Sequence, residues 1–531
     1  MRLNDKPRVA LVVPKKRFLC LGDILWIQRY GPLQVASVIK DSGHEVCVIN
    51  EELGFVAHPS ELAAQFDIVG FSAQTGAIAR AEELAAQTKF EAERIGRKVV
   101  TVLGGEHVSM SEGGRVAPIF DMVYPGESEV RFLEFINGLT LDEQVEKTAV
   151  TLPPSSNQTG SPLFDNIPDL SVVRGYSETT GSFWFKYARP LWILTKRRFP
   201  MLTFLASRGC PYNCSFCPTV QYLHGNKYRR MRPEVAVDYL ASHVNATNIS
   251  NVMFEDPTAA LPFDAASHRF FKMLAEKALN IKATALVRTD LSNDIELLQI
   301  MREAGVYSLS IGIESLSDVT LRKYKKNIAS DNMSRSISLF HTLGFSVTGL
   351  FIVGADEDGP DVFDNIERFI KEHGIEKWRV SPLGQLPEVD NLYFPAYRFF
   401  LWNELASFNE DLADYINGEF VTFFPLNMKP SILQTKLADF TYKCSSLRNL
   451  ITLGNTRRSL RSIMQRFGYN IAHRLVQKEI ARSKYIDYLK EIEEPFYEAV
   501  PSGYTLRKDV LIDRYRNFKH SQTVEIPRSV P

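Results

Sequence analysis

What the chain lacks narrows its class first. Six cysteines are spread over 531 residues. Cys20, Cys47 and Cys444 stand far apart, unlike the framework of a disulfide-stapled secreted domain. Basic and acidic residues number 62 each, so the formal charge is zero and there is no global nucleic-acid signature. No apolar run reaches 18 residues, and the start shows no charged n-region leading into an apolar h-region. A soluble chain of a reducing compartment, the cytoplasm, is expected, with no nucleic-acid partner. The length suggests about three domains of ~150 residues each.

The remaining cysteines carry the chemistry. Cys210, Cys214 and Cys217 lie in SRGCPYNCSFCPT, directly after the apolar, strand-like stretch Met201 to Ser207. Thiolates suit iron–sulfur clusters, Zn²⁺ and Cu(I). A closed zinc site wants four ligands, yet the nearest spare candidate is His224 and no second cysteine pair exists. Three thiolates on one tight loop can instead hold three irons of a four-iron cluster and leave the fourth iron open to a ligand. Packing or zinc binding is the alternative. The Cys-x3-Cys-x2-Cys spacing, with Phe216 as the aromatic before the third cysteine, resembles the radical S-adenosylmethionine (SAM) enzymes. The resemblance implies a [4Fe-4S] cluster and SAM.

Upstream, apolar strands alternate with helical patterns: Val9 to Val13, Glu45 to Ile49, Asp67 to Ser72, Lys98 to Leu103 and Ile119 to Tyr124. That alternation predicts a doubly wound parallel α/β sheet, whose ligands bind beyond the carboxyl ends of the strands. Polar and glycine residues collect there, at 72–76, 104–107 and 126–129. The stretches GPLQVASVIKDSGHEVCVINEE, DIVGFSAQT, VLGGEH and VYPGESE resemble the cobalamin-binding domain that precedes the radical SAM core in one large subgroup. The resemblance implies cobalamin, held by Ser72, Gln74, Thr75, Gly104, Gly105 and Gly126. An Asp-x-His-x-x-Gly motif, which would supply an axial histidine, is missing here as it is from that subgroup. No cobalt ligand is named, and His107 is either a ligand-facing or an ordinary loop histidine.

Residues 140–199 read as a linker, rich in Pro, Ser, Asn and Gly at 152–170. At 183–199 aromatic residues alternate with Lys186, Arg189, Lys196, Arg197 and Arg198. That segment reads as an edge element between domains, with a phosphate or peripheral membrane contact as the alternative. Six strand candidates then follow: Leu202 to Ser207, Asn251 to Glu255, Lys282 to Val287, Tyr307 to Ile313, Val347 to Val353 and Trp378 to Ser381. With helices between them they predict a partial (β/α)6 TIM-like barrel, whose chemistry gathers at the carboxyl ends of the strands. The family resemblance gives Glu255, Arg288, Glu314 and Ser315, at such ends, the task of holding SAM. Charged groups there can accept from a ribose or ammonium group, or pair with a carboxylate.

The segment 382–394 resembles the turn that often ends such cores, but has Glu388 and Val389 where Gly and Thr are usual. Beyond it the pattern is mainly helical, and 420–444 loosely resembles the C-terminal domain of hopanoid methylases. From Lys429 to Lys484 twelve Lys or Arg face two acidic residues, about +10 formally. This asymmetry could attract an anionic substrate, an anionic lipid surface or an acidic electron donor. The expected division is 1–139 cobalamin-binding-like, 140–199 linker, 200–395 radical SAM core and 396–531 helical substrate domain.

The resemblance implies an enzyme. Its reduced cluster would cleave SAM, the resulting radical would take hydrogen from an unactivated carbon, and methylcobalamin would donate a methyl group. No catalytic acid–base residue is expected. A flavodoxin- or ferredoxin-like protein would supply the electron, and the substrate is expected to be a small or lipid-like molecule. The alternatives are oxidation, cyclisation or rearrangement, as in anaerobic porphyrin-ring cyclases, with cobalamin absent or not a methyl donor, and a non-catalytic cobalamin-binding or redox-sensing module.

Overall fold

The structure is a computed structural model that describes residues 6–18, 20, 29–110, 118–138, 150–151, 169–174, 201–217, 228–247, 249–326, 328, 330–384, 395–404, 411–446, 460–500 and 503–523. Its first sheet contains β1 (Val9–Val13), β2 (Val46–Asn50), β3 (Ile68–Ser72), β4 (Val100–Gly104), β5 (Met122–Val123) and β6 (Val150–Thr151). All pairings are parallel and the order is 2-1-3-4-5-6. Every residue of β1 is buried, because both faces of a doubly wound sheet are covered. Val9 and Leu11 pack with Tyr30 and Leu33 of the helix Tyr30–Asp41. Ala10 and Val12 pack with Ile78 and Leu84 of the helix Ile78–Arg94 on the opposite side. The order reverses between β1 and β3, and such a reversal opens a crevice at the carboxyl edge.

Within the stretch read as a linker, the described residues 150–151 and 169–174 are tied to the first sheet. β6 extends the first sheet, Val173 bridges to Val48, and Arg174 pairs with Glu61 at 2.8 Å. Backbone pairing at a sheet edge needs no apolar periodicity, so composition did not reveal it. The basic aromatic segment 183–199 and positions 385–394 of the expected core-ending turn lie outside the described residues.

The second sheet contains β7 (Leu202–Phe204), β8 (Asn251–Phe254), β9 (Lys282–Val287), β10 (Val306–Glu314), β11 (Ser346–Val353) and β12 (Lys377–Pro382), all parallel and in simple sequential order. Among the described residues β7 does not pair with β12, so the arc stays open. Helices pack on its outer face, several started by side-chain caps. Asp264 accepts from Ser267 N, Asp294 from Leu297 N and Ser317 from Thr320 N, each worth about 1 kcal/mol. Phe204, Phe254, Phe270 and Phe271 interlock between the first strands and the helix Ala265–Glu276, adding ~0.5–1.5 kcal/mol per ring pair to simple burial. The other face of β9 and β12 alternates to half-exposed residues. Thr284, Leu286, Ser310, Leu350, Ile352 and Arg379 are half-exposed on the strand face turned away from those helices, the inner side of the open arc.

The C-terminal part is mainly helical, with Pro430–Cys444, Leu460–Arg482, Tyr485–Glu493 and Lys508–Thr523, but also contains the antiparallel pair Tyr497–Val500 and Gly503–Leu506. It closes back on the first sheet. Phe18 packs on Tyr415 and Phe420, and Arg17 pairs with Asp414 at 3.1 Å.

Candidate functional site

The cysteine loop leaves the barrel just after β7. Gly209, with φ +75°, turns the chain into it, a conformation that glycine adopts without Cβ strain. Cys214 is buried, while Cys210 and Cys217 are half-buried. Burial pushes the Cys210 and Cys214 thiols up, and at Cys214 the cations Lys326 and Arg288 oppose it. Both cations come from distant sequence. Arg288, following β9, directs Nη1 to Cys214 Sγ at 3.7 Å, Nη2 to the Lys326 carbonyl at 3.0 Å and Nε to Asp290 at 3.2 Å. Its guanidinium lies 3.7 Å over the Tyr212 ring, and the Tyr212 hydroxyl donates to Asp290 at 3.1 Å. Lys326 Nζ meets Glu314 at 2.6 Å, with both side chains largely buried. Phe216 packs on Tyr324 at 4.8 Å between centroids.

Cys210, Cys214, Cys217, Phe216, Arg288 and Glu314 are thus brought to one end of the barrel. Glu314 sits in a register shift at the end of β10 with φ +65°, a conformation unfavourable for a side chain with a Cβ. Strain of that kind clusters at functional sites. Ser315 is adjacent but committed locally, its Oγ accepting from Ser317 N at 3.1 Å.

Glu255 ends β8 and faces the first sheet. Its recess is solvent-accessible, yet protein crowds the carboxyl on most sides. Burial pushes its pKa up to about 7; Arg29 opposes this, while Glu106, Asp256 and Glu52 add to it. Arg29 bonds Glu52 at 2.8 Å and Gln74 Oε1 at 2.9 Å, and Gln74 Nε2 donates to Glu106 at 2.6 Å. At the carboxyl edge of the first sheet these groups therefore form a charged, hydrogen-bonded seam whose charges act on Glu255 of the second sheet. Ser72, Gln74 and Thr75 end β3, and Gly104 and Gly105 end β4. Gly126 follows β5, its N–H bonded to Ser109 Oγ at 2.9 Å. Gly105, at φ +97°, cannot accept a Cβ, which would lie 2.7 Å from the Ala73 carbonyl oxygen. Its constraint is the neighbouring strand end. His107 is fully buried and 3.3 Å from Thr75 Oγ1.

A second junction ties the sheets together. Arg208, two residues before Cys210, pairs with Glu127 at 2.9 Å and Glu129 at 2.6 Å, and Arg229 also reaches Glu127 at 2.9 Å. Nearby, the Tyr30 hydroxyl is buried with no hydrogen-bond partner among the described residues. Sequence reasoning missed Arg29, Lys326, Tyr212 and Arg208 as members of the site. Only Arg208 and Tyr212 had a usable signal, their nearness to Cys210.

Residues 204–370 match a family model described as the radical SAM superfamily. The chain thus carries a radical SAM domain over those residues and is an enzyme. It is 25% identical over 359 residues to an uncharacterized methyltransferase of Pyrococcus horikoshii, covering 65% of this chain and 73% of that one. It is 26% identical over 322 residues to an anaerobic magnesium-protoporphyrin IX monomethyl ester cyclase of Rubrivivax gelatinosus, covering 58% and 54%. Among solved structures it is similar to the radical SAM methyltransferase TsrM from Kitasatospora setae, solved with cobalamin and a [4Fe-4S] cluster bound. There the TM-score is 0.59 at 14% identity, over 90% of this chain and all of that one. At that identity the likeness carries the fold alone. No helix among the described residues is long and apolar enough to cross a membrane.

Proposed function

We propose that the protein is a cobalamin-dependent radical SAM methyltransferase acting on an unactivated carbon of a small-molecule or lipid-like substrate. The observation that carries the reading is the cysteine loop at the mouth of the open barrel, with Arg288 against Cys214. The donor set suits a four-iron cluster. Among the described residues no three His, Cys, Asp or Glu side chains converge on one metal ion, and thiolates that each bind a different iron need no such convergence. When bound, the cluster would supply the electron that cleaves SAM. Cys210, Cys214 and Cys217 would hold it, with Phe216 backing the loop on Tyr324. Arg288 would compensate thiolate charge and offer a guanidinium edge to the SAM carboxylate. Glu314, Glu255 and Ser315 supply acceptors for its ammonium and ribose groups.

The crevice at the β1/β3 reversal suits cobalamin, which would supply a transferable methyl group. Gln74, Arg29 and Glu106 present donors and acceptors matched to a ring fringed with amides, and the unpartnered Tyr30 hydroxyl lies at the same seam. Ser72, Thr75, Gly104, Gly105 and Gly126 complete that edge. His107, engaged by Thr75 and fully buried, is assigned no bond to cobalt. The half-exposed residues on the inner side of the arc would orient substrate and exclude water.

The test is anaerobic purification from cobalamin-fed cells, followed by assay of iron, cobalamin and SAM products. Stoichiometric cobalamin, four irons, and both 5′-deoxyadenosine and S-adenosylhomocysteine are expected, and Cys214→Ala should lose SAM cleavage entirely. Cleavage that persists in this variant refutes the cysteine assignment. The similarity to the Rubrivivax cyclase favours one second reading, oxidative ring closure, in which 5′-deoxyadenosine appears without S-adenosylhomocysteine.

A further inference from the structure

The short helix Asp318–Lys323 ends in a turn that performs two tasks at once. Lys326 N bonds the Leu321 carbonyl and Lys325 N the Arg322 carbonyl, both at 3.0 Å. This double bond pattern is a Schellman closure, with Lys325 at φ +54° where glycine would be unstrained. The turn buries Lys326 on Glu314 and leaves Arg322, Lys323 and Lys325 exposed. Within residues 321–326, LRKYKK, there are four cations and no acid. Lys323 pairs with Glu357, while Arg322 and Lys325 have no ion-pair partner among the described residues.

The same turn is the wall behind the cysteine loop. Ser215 N donates to the Tyr324 carbonyl at 3.0 Å and Ser215 Oγ to the Lys323 carbonyl at 2.9 Å. Arg288, which touches Cys214, is bonded to the Lys326 carbonyl. Two hydrogen bonds thus connect an exposed cationic segment to the residue beside Cys214, and the loop's exposed Pro211 and Asn213 complete the surface. The larger basic region is less suited. There Lys429 pairs with Glu494 and Lys443 with Glu367, and Arg474 stacks on Tyr442. Cations also favour a helix C-terminus, but that role needs no contact with the loop.

We propose that Arg322, Lys323 and Lys325 form the docking surface for an acidic one-electron carrier, a small flavoprotein bearing FMN hydroquinone. The proposal rests on the cluster reading of Cys210, Cys214 and Cys217. One electron leaves the flavin and enters the cluster; the carrier is oxidised by one equivalent, the cluster is reduced by one, and no heavy atom is transferred. Charge complementarity of this kind speeds encounter and weakens with salt.

The experiment uses the cluster-loaded full chain and a photoreduced acidic flavodoxin. Cluster reduction is followed by stopped-flow absorbance, and binding of the oxidised flavodoxin by calorimetry, each at low and high salt. Arg322→Glu/Lys323→Glu/Lys325→Glu should slow reduction and weaken binding by roughly tenfold or more at low salt, with the salt dependence flattened. Reduction by dithionite and the cluster's resonance spectrum should be unchanged. Arg322→Ala/Lys323→Ala/Lys325→Gly, which relieves the backbone strain, should show the same direction with a smaller size. Flavodoxin kinetics and affinity within twofold of the parent in both variants overturn the docking surface while the cluster reading stands. A parent that takes up no iron overturns both.

Discussion

Arg208→Met tests how the two sheets are held together. The Arg208 side chain is only 4% exposed, and it joins the cysteine-bearing barrel strand to Glu127 and Glu129 of the first sheet's edge. Removing one member of a buried ion pair typically costs 3–5 kcal/mol, because the remaining charge stays desolvated and unpaired. Glu127 keeps Arg229, so most of the loss falls on Glu129 and the lower end applies, ~3 kcal/mol. Since 1.4 kcal/mol is tenfold, the junction should open on the order of 100 times more often. Native-state amide exchange across 122–138 and 202–209 reads that opening directly. Arg208→Met/Glu129→Gln, which leaves no lone carboxylate at that position, should recover most of the protection. Protection in Arg208→Met within twofold of the parent would refute the argument, because the ion pair would then be dispensable.

Other expectations concern single groups. Glu255 has its pKa raised from 4.5 to about 7. Protonation therefore favours the folded state, fully below the unfolded value near 4.5, and that benefit is lost as pH rises through 7. Cofactor-free protein should melt lower at pH 8.5 than at pH 6 on account of this group, by at most roughly 1.4 kcal/mol of stability, since only about one unit of the raised range lies above pH 6. Glu255→Gln should flatten that slope, and an unchanged slope counts against the buried-carboxyl account. Arg288→Met removes a cation from beside Cys214. The reduced, more negative cluster should then be harder to reach, and a spectroscopic redox titration should give a lower midpoint; an unmoved midpoint contradicts the contact's role. Gly105→Ala forces a Cβ against the Ala73 backbone at φ +97°. It should cost about 1–2 kcal/mol from the left-handed conformation alone, with the clash added, and thermal melting would check it.

The sequence by itself determined the periodic parts. β1 and β9 fall where their apolar runs place them, residue for residue, since strand length and turn residues are local properties. The cysteine spacing likewise carried the cluster expectation by itself, because one short loop holds all three thiols. Only the tertiary structure decided what surrounds that loop. Lys326 lies more than a hundred residues beyond Cys217 and reaches the site through a helix-ending turn that no motif marks. Arg29 acts on Glu255 only because the fold brings the carboxyl ends of strands from the two sheets near each other. β6, at two residues, is a backbone pairing that leaves no side-chain pattern to read. Local periodicity is written along the chain, whereas long-range electrostatics depends on how separate elements pack. The sequence therefore named the thiols, and the fold supplied the cations that answer them.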